Sequence, residues 1–396
     1  MFESLQNFLS QRKMSNYFPP IKQAHGARAR VFVGVSGGVD SSVSAAELKS
    51  RGYDVVGVFI KTYYPPEIEC DWREERLDAI RVCEHLKIPF MECDLEKEYK
   101  EYVFDYMIDS YRAGITPNPD IFCNKYVKFG GFLEWALKQG ADYIATGHYA
   151  QHFVREEVGS GDSELQEASS LMAMGADADK DQTYFLYQLT QKQLSHTIFP
   201  IGHWKKDKVR RRAKKYGLFT ATKKDSQGIC FVGPVEMRKF LAKYIDEEGG
   251  DVLNEVGEVI GKHSGSFFLT IGQRSGFEIA PEYRTPDMPR MYIVAKDTKH
   301  NTITVSPSLE VYNPKIIYIT NTSWINQAPQ VGDKMVSRVR HRGALLQAQF
   351  EMVDGDIYSL SFSEAHSGVA EGQSLVLYQD TICLGGGIIS SNQSMI

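Results

Sequence analysis

Apolar runs alternate with amphipathic stretches over the first 150 residues of this chain. The apolar runs that predict strands are Val31–Val35, Asp54–Ile60, Pro89–Cys93 and Asp142–Thr146. Helical spacing predicts helices directly after Ser42 and over Arg73–Leu86, Leu95–Tyr111 and Asn124–Gln139. Strands and helices that alternate at these lengths predict an α/β fold with a doubly wound parallel sheet, whose ligand lies at the carboxyl ends of the strands.

The pattern changes beyond Ala150, where the regular alternation stops. Gly159–Ser163 is typical of a hairpin turn or a disordered insertion. After about residue 250 short β-type segments predict one or two small barrels or sandwiches. These segments are Ser266–Thr270, Met291–Val294, Thr302–Val305, Lys315–Ile319, Leu345–Phe350, Ile357–Phe362 and Ser374–Tyr378.

A strongly basic helix is predicted over Lys205–Tyr216. It carries eight lysines and arginines against Asp207, and Val209, Ala213 and Tyr216 have the spacing of a core-facing stripe. Such a charge run is usually a solvated face, but the chain as a whole has a net charge of −5. A nucleic-acid surface must therefore be local, and this helix is a candidate for it.

Residues 34 to 42 read GVSGGVDSS, between the first predicted strand and the first predicted helix. A small-residue loop at that place directs backbone N–H groups and the positive end of a helix dipole at one point, which suits a phosphate. The loop lacks the lysine of γ-phosphate-transferring enzymes. It resembles the pyrophosphate loop of enzymes that split ATP between its α- and β-phosphates and form adenylates.

The chain has 396 residues, 24% charged and 42% hydrophobic, which is typical of a soluble protein of two or three domains. It contains no run of eighteen apolar residues, so no membrane span is expected. Six scattered cysteines without a C-x-x-C pair fit a reducing compartment and predict neither a disulfide framework nor a metal site.

Two cysteines lie in settings unlike the other four. Cys123 follows a Pro-rich segment and precedes a predicted helix start at Asn124, and a thiol near a helix N-terminus has a lowered pKa. Asp120 lies three residues earlier, so it is a candidate for proton exchange with a substrate. Cys230 follows Gly228 and two lysines, and this setting also favours a thiolate.

Seven motifs together resemble the tRNA-specific 2-thiouridylase family, from about residue 30 to the C-terminus. They are GVSGGVDSS, TPNPDIFCNKYVKFG, ATGHYA, KDQTYFLYQL, DSQGICF, FLTIGQRSGF and CLGGGII. The resemblance implies an adenine nucleotide α-hydrolase-like catalytic domain over residues 30–235, a central linking domain over 236–310 and a tRNA-binding C-terminal β-barrel over 311–396. Residues 1–29 are expected to form a loosely ordered extension.

The resemblance also implies the roles of individual residues. It places ATP, with its Mg²⁺, on Gly34, Val35, Ser36, Gly37, Gly38, Val39, Asp40, Ser41, Ile60 and Gly147. It places tRNA on Asn118, Pro119, Asp120, His148, Lys180, Asp181, Gln182, Arg340, His341 and Gln373. Ile60 stands where the family often has methionine, and His341 stands where it usually has tyrosine in what is expected to be a strand over residues 338–342. By the same resemblance, Cys230 carries a persulfide, Cys123 is its partner thiol and Asp120 does acid/base work.

The implied reaction makes an adenylate at C2 of the wobble uridine of tRNA and replaces it with sulfur. The implied partners are tRNA and a persulfide-donating sulfur carrier or cysteine desulfurase, in the cytoplasm, or in mitochondria if residues 1–29 are a transit peptide. One alternative is another adenylating ligase with this loop, which acts on tRNA or a small molecule. Another is a non-catalytic RNA-binding or sulfur-carrier protein.

Overall fold

The computed structural model describes residues 16–22, 26–65, 72–155, 169–225, 237–245, 248–308, 315–355, 357–364 and 369–390. The first seven strands are β1 (Arg30–Gly34), β2 (Asp54–Lys61), β3 (Phe90–Asp94), β4 (Tyr143–Ala145), β5 (Ala150–Arg155), β6 (Ser169–Met174) and β7 (Thr197–Ile198). Five of them form a parallel sheet in the order β3-β2-β1-β4-β7. The expected doubly wound α/β fold is thereby confirmed, and β7 continues the sheet well beyond Ala150.

Helices cover both faces of this sheet. The helices are α1 (Val39–Arg51), α2 (Trp72–Leu86), α3 (Glu96–Tyr99, Lys100–Asp105 and Tyr106–Arg112), α4 (Pro119–Phe122, Cys123–Gly131 and Phe132–Lys138), α5 (Gln191–Ser195), α6 (Lys206–Lys215) and α7 (Met237–Leu241). The middle parts of α3 and α4 are π-helical. Val31 and Val33 pack into one core layer and Phe32 into the other, so the apolar run of β1 is buried on both faces.

The predicted helix start at Asn124 is wrong. Helix α4 begins at Pro119, with Asn118 as the preceding residue, and Cys123 lies in its second turn. Proline suits the first position of a helix because its missing N–H has no intrahelical acceptor there. Pro119 therefore starts the helix, and Pro117 lies just before it.

The central part of the chain forms a second sheet. Its strands are β8 (Gly250–Leu253), β9 (Val259–His263), β10 (Phe277–Ile279), β11 (Tyr292–Asp297) and β12 (Thr302–Ser306). They lie in the order β10-β9-β8-β12-β11. The strand expected over Ser266–Thr270 is wrong, because Ser266–Phe268 is a 3-10 turn whose start is held by the side chain of Asn301.

The last six strands close into an antiparallel barrel. They are β13 (Ile316–Trp324), β14 (Lys334–Arg338), β15 (Leu346–Asp354), β16 (Ile357–Phe362), β17 (Ser374–Gln379) and β18 (Ile382–Ser390). The order is β13-β16-β15-β14-β17-β18, and β13 also pairs with β18. Strand β6 adds to β18 and brings its hairpin partner β5, so the sheet crosses the expected boundary at residue 311. The expected turn at Gly159–Ser163 lies outside the described residues.

Part of the N-terminal extension is docked on the domain that contains the parallel sheet. Tyr17 donates its backbone N–H to the carbonyl of His152, the Asn16 side chain bonds to Phe199, and Phe18 lies under the guanidinium of Arg51. The expectation of a loosely ordered extension is thus wrong for residues 16–22, because apolar and polar partners on the folded domain hold them.

Among the described residues, no helix is long and apolar enough to cross a membrane.

Candidate functional site

The loop between β1 and α1 is narrow and leads directly into a helix. Gly37 has φ +69°, a backbone conformation that favours glycine. A Cβ atom added there would also lie 2.7 Å from the Cβ of Asp78, so there is no space for a side chain. The Ser41 hydroxyl accepts from the backbone N–H of Ser36 at 3.2 Å and donates to the carbonyl of Gly38 at 3.3 Å. The first N–H groups of α1 have no acceptor within the helix and, together with its dipole, form an anion site.

The two more distant residues expected at this site lie beside the loop. A Cβ atom added to Gly147 would lie 2.7 Å from the backbone nitrogen of Ser41, so only glycine lets this segment approach the first turn of α1. The Ile60 side chain is buried and its Cδ1 would lie 3.6 Å from a Cβ atom added to Gly34. The fold therefore brings the loop, Gly147 and Ile60 into one place at the carboxyl edge of the sheet.

A group of ion pairs surrounds the start of α1, and we call it the loop ion cluster. It consists of Asp40, Lys180, Lys206, Arg210 and Asp225. Lys206 contacts Asp40 at 2.7 Å and Asp225 at 2.9 Å. Asp225 also accepts from Lys180 and Arg210, both at 2.7 Å. Three cations therefore share the carboxylate of Asp225.

Neighbouring groups set the protonation states of Asp225 and Tyr149 in and beside the loop ion cluster. Burial raises the pKa of Asp225, but the hydrogen bonds from Lys180 and Lys206 lower it by more, to about 2. Burial and the nearby Asp40 carboxylate raise the pKa of Tyr149, whose hydroxyl therefore stays protonated and donates to Asp40 at 2.8 Å. Lys223 closes the other side of the loop through the Gly37 carbonyl at 3.2 Å and Asp78 at 2.8 Å.

Cys123 is completely buried in the core beneath the sheet. Asp120 precedes it by three residues in the same helix, so the two side chains share a face, as the sequence predicts. Cys230 lies outside the described residues, and its approach to Cys123 stays a prediction. Asp225, five residues before Cys230, is held at the loop, and five residues of chain reach at most about 18 Å.

A second group of expected site residues meets between α4 and the barrel. The ring of His341 lies 4.4 Å from that of Phe185, and its pKa is lowered by burial and by Arg342, with Asp120 acting in the opposite direction. Asn118 bonds to the hydroxyl of Tyr184. Asn118, Pro119 and Asp120 are half-buried, and Asp120 is close enough to His341 to affect its pKa. The expected base-contacting residues and His341 therefore lie close together, and we refer to the space they border as the cleft.

Strand β14 ends at Arg338, so the strand expected over residues 338–342 is wrong. Arg340 and His341 lie in the turn that follows, where Arg342 has φ +58°. Arg340 is exposed and available to a ligand, whereas Arg338 is directed inward onto Asp181 at 2.8 Å.

The side chains of the three consecutive residues Lys180, Asp181 and Gln182 have different partners. Lys180 belongs to the loop ion cluster, and the Gln182 side chain accepts from the backbone N–H of Tyr149 at 3.0 Å. The Asp181 side chain is 1% exposed and binds Arg338 and Thr183. The expected side-chain contact of Asp181 with tRNA does not fit this geometry, because buried partners occupy its carboxylate.

Two further expected tRNA residues also have internal partners. His148 is 7% exposed, bonds to Thr146 at 2.8 Å and has a pKa far below the usual histidine value because of burial and then Lys128. Contact with tRNA would require this ring to be uncovered. Gln373, on the barrel, donates to the carbonyls of Thr116 and Pro117 at 2.9 and 3.2 Å. It therefore fixes the segment that leads into α4.

The cations of helix α6 fall into two groups, those with internal partners and those exposed to solvent. Val209 and Ala213 are buried, as the stripe predicts. Lys206 and Arg210 belong to the loop ion cluster, and Arg212 pairs with the nearly buried Glu47 at 3.2 Å. The exposed cations are Lys205, Lys208, Arg211, Lys214 and Lys215.

Sequence reasoning missed Lys206, Arg210, Asp225 and Tyr149 as residues of the loop site. All four stand in segments that the sequence analysis describes, but the basic helix is interpreted there as a surface, and Tyr149 and Asp225 are assigned no role of their own. Their meeting depends on distant contacts, since the partners of Asp40, Tyr149 and Lys206, follow it by 109 and 166 residues. No local pattern encodes such contacts.

Comparison with known proteins adds the following similarities. Family models described as a tRNA methyl transferase HUP domain, a tRNA methyl transferase PRC-barrel domain and an aminomethyltransferase beta-barrel domain match residues 29–234, 238–307 and 314–389. The chain is 42% identical over 369 residues to the tRNA-specific 2-thiouridylase MnmA of Bacillus licheniformis, which covers 91% of this chain and 94% of that protein. It is 40% identical over 371 residues to the tRNA-specific 2-thiouridylase MnmA of Lactococcus lactis subsp. cremoris, with 92% and 95% covered.

Among solved structures, the U34-tRNA thiolase NcsA from Methanococcus maripaludis is similar at 15% identity and a TM-score of 0.34, over 62% of this chain and 72% of that one. A likeness this weak carries no conclusion about the site.

Proposed function

This chain belongs to the tRNA-specific 2-thiouridylase family, and on that premise we propose that it replaces the C2 oxygen of the wobble uridine of tRNA with sulfur in an ATP-dependent reaction. The observation that carries the proposal is the phosphate-binding loop at the start of α1, with Gly147 and Ile60 packed beside it. Two of the family models are described as tRNA methyl transferase domains. An anion site of this kind supports nucleotide chemistry, which the named relatives' thiolation requires.

The first step converts the C2 oxygen of uridine, which is a poor leaving group, into a good one. The C2 oxygen of uridine attacks the α-phosphate of ATP, pyrophosphate departs, and an adenylate remains on the base. The loop and the first turn of α1 bind the phosphates, and Asp120 in the adjoining cleft exchanges the proton of the base. ATP brings Mg²⁺ with its phosphates. Asp40 is the carboxylate of the loop, and among the described residues no group of three potential ligands forms a separate metal site.

The second step transfers sulfur and needs two thiols. Cys230 takes a sulfur atom from an external persulfide, which leaves as a thiol, and its own terminal sulfur then attacks C2 as AMP departs. Cys123 attacks the inner sulfur of Cys230, which releases 2-thiouridine and leaves a disulfide. A thiol reductant returns both cysteines to the reduced form. Burial of Cys123 supports this order, since a covered thiol reacts only when the cleft rearranges around its substrate.

The tRNA and the sulfur donor meet the protein at different places in this proposal. The cleft of Asn118, Asp120 and His341 receives the extruded base, and Arg340 beside it contacts the backbone. A sulfur carrier or cysteine desulfurase supplies the persulfide. The location in the cytoplasm, or in mitochondria, stays a prediction.

A direct assay tests the function. The full chain is incubated with unmodified tRNA, Mg²⁺-ATP, a thiol reductant and a chemical persulfide source, and the nucleosides are analysed by mass spectrometry. We expect 2-thiouridine and AMP in equal amounts, with neither formed when ATP or tRNA is omitted. AMP without 2-thiouridine would indicate another adenylating ligase instead. Binding of tRNA with no pyrophosphate release would indicate a non-catalytic RNA-binding protein.

A further inference from the structure

The loop ion cluster contains an arrangement that the chemistry above does not use. Lys206 and Arg210 lie one turn apart on α6 and Lys180 precedes that helix, and all three bind the one carboxylate of Asp225 at 2.7 to 2.9 Å. A carboxylate that accepts hydrogen bonds from three cations resembles a phosphate group, because both are anions that bind several charged donors at once. The side chain of Asp225 is 28% exposed and those of Lys180 and Arg210 are 31% and 30% exposed, so a ligand can reach this cluster from solvent.

Lys206 connects this cluster to the phosphate loop. Its ammonium group lies 2.7 Å from Asp40, in the first turn of α1, and 2.9 Å from Asp225. The chain of a triphosphate that enters the anion site at the start of α1 therefore meets Lys206 next. Backbone N–H groups and a helix dipole supply only partial positive charge, whereas a triphosphate carries several negative charges. Lys206 places a full positive charge beside the loop.

We propose that Lys206, with Lys180 and Arg210, binds the phosphates of ATP, and that Asp225 is a built-in stand-in for phosphate that holds these cations in the ATP-free protein. ATP must then displace the Asp225 carboxylate from its partners. The proposal rests on the assignment of ATP to the loop in the proposed function, and it adds the cations that recognise the phosphates and an internal competitor for them.

Competition between the Asp225 carboxylate and ATP can be distinguished from a purely structural role of Asp225. If the carboxylate competes with phosphate, its neutralisation removes the competitor and leaves the three cations free for ATP. If it only braces the fold, its neutralisation loosens the site, and ATP binds less tightly or unchanged. The two roles therefore predict opposite effects of Asp225→Asn on ATP affinity.

The test is calorimetric titration of the full chain with Mg²⁺-ATP, and separately with inorganic pyrophosphate, in the absence of tRNA and of a sulfur source. We expect Asp225→Asn to bind both probes about threefold more tightly or better, a modest change because each ion pair is partly exposed. Asp207→Asn is the matched control, since it removes the same charge from an exposed position beside Lys206. It should stay within about twofold of the native affinity. Unchanged or weaker binding by Asp225→Asn overturns the proposal.

A second set of variants tests the cations. Lys206→Gln should weaken ATP binding by about tenfold or more, and Lys206→Arg should restore most of it, because a direct charged contact to phosphate is lost and regained. Lys205→Gln, an exposed neighbour on the same helix, is the control. Native affinity in Lys206→Gln would also overturn the proposal. Thermal unfolding of each variant shows whether it is folded.

These outcomes separate the two proposals. Binding of ATP and pyrophosphate is measured without tRNA, so the competition can hold in a chain that forms no 2-thiouridine, which would overturn only the proposed function. Conversely, a chain that thiolates tRNA but whose Asp225→Asn variant binds ATP no more tightly would overturn only the competition.

Discussion

Burial of the described cysteines does not by itself mark the reactive ones. Burial raises the pKa of Cys83 to about 11, and burial with Glu98 and Asp94 raises that of Cys93 to about 12, so both stay protonated thiols at neutral pH. Cys123 is equally covered, but it shares a helix face with Asp120 at the cleft. Its position beside a candidate acid/base group, and not its exposure, distinguishes it.

The proposed division of labour predicts different defects for the two serine variants. Cys230→Ser should abolish sulfur loading, because no thiolate accepts the donor's sulfur. Cys123→Ser should load sulfur normally but fail to release it, so that turnover is lost. Loading is measured by mass spectrometry of the protein after exposure to a persulfide source, and turnover by 2-thiouridine formation. Cys93→Ser is the control, with both steps retained. Equal loading of the Cys123 and Cys230 variants would contradict this assignment.

The buried ring of His152 predicts a pH dependence of stability. Burial lowers its pKa from 6.5 to about 4, although its bond to the carbonyl of Thr197 acts in the opposite direction. The unfolded chain therefore binds a proton at higher pH than the folded one. This contribution is present above pH 6.5 and is lost as the pH falls towards 4.

From pH 7 to pH 5 we expect the free energy of unfolding to fall by about 2 kcal/mol on account of His152. His152→Gln should remove that part of the pH dependence, even if it lowers stability at both values. Urea unfolding at the two pH values provides the measurement. His203, whose pKa is also about 4 because of burial and nearby Arg51, supplies a separate part of the native slope. An unaltered slope in His152→Gln would show that His152 does not titrate as proposed.

At the scale of elements, a buried ion pair joins the catalytic domain to the barrel. Asp181 follows Lys180 of the loop ion cluster, and Arg338 ends β14 just before the exposed turn that contains Arg340. The side chains of Asp181 and Arg338 are 1% and 9% exposed. This pair therefore fixes the position of the turn relative to the phosphate loop.

Removal of one partner leaves a buried charge without its counter-ion. We expect Arg338→Met to lower the free energy of unfolding by about 3 kcal/mol or more, and the addition of Asp181→Asn to recover part of that loss. Arg340→Met, an exposed arginine two residues further on, should change stability by less than about 0.5 kcal/mol. Urea unfolding of the three variants tests the pair. A double variant no more stable than Arg338→Met would contradict the ion-pair explanation.

Elements set by local sequence were predicted well from the sequence, and those set by distant pairing were not. The β1–loop–α1 unit and the four apolar strands were predicted because strand runs, Gly37 and helical spacing are local features. The two-residue strand β7 has too few residues for a periodic signal. The pairing of β6 with β18 joins Met172 to Cys383, and no turn or pattern near either residue indicates it.

The same reasoning applies to the site. Gly147 and Ile60 were assigned to ATP by the family resemblance alone, and both lie beside the loop because the strands that lead to them end at the same edge of the parallel sheet. The inward bonds of Lys206 and Asp181 depend on side-chain direction within segments whose polarity suggested solvent. Charge in the sequence indicates that a partner is needed, but it does not distinguish an internal carboxylate from an RNA phosphate.

At the scale of the whole molecule, exposed cations lie near both edges of the parallel sheet, but only one group of them is close to the phosphate loop. Helix α6 lies with its first turn at the phosphate loop, and Lys208, Arg211 and Lys215 form an exposed stripe along it at helical spacing. Arg28, Lys87 and Lys138 are also exposed, but they lie at the opposite edge, before β1, after α2 and at the end of α4. We predict that a tRNA bound at the cleft contacts the first group and not the second.

The salt dependence of tRNA binding tests this assignment. Each phosphate contact adds about 0.7 to 0.9 to the slope of log affinity against log salt concentration. Replacement of Lys208, Arg211 and Lys215 by glutamine should therefore reduce the magnitude of that slope by about 2. The matched triple replacement of Arg28, Lys87 and Lys138 removes the same charge and should leave the slope within about 0.5 of the native value, because distant charges are screened. Fluorescence titrations at several KCl concentrations measure both. Equal slopes in the two triple variants would show that helix α6 is only a solvated face and that tRNA is held by the cleft and barrel alone.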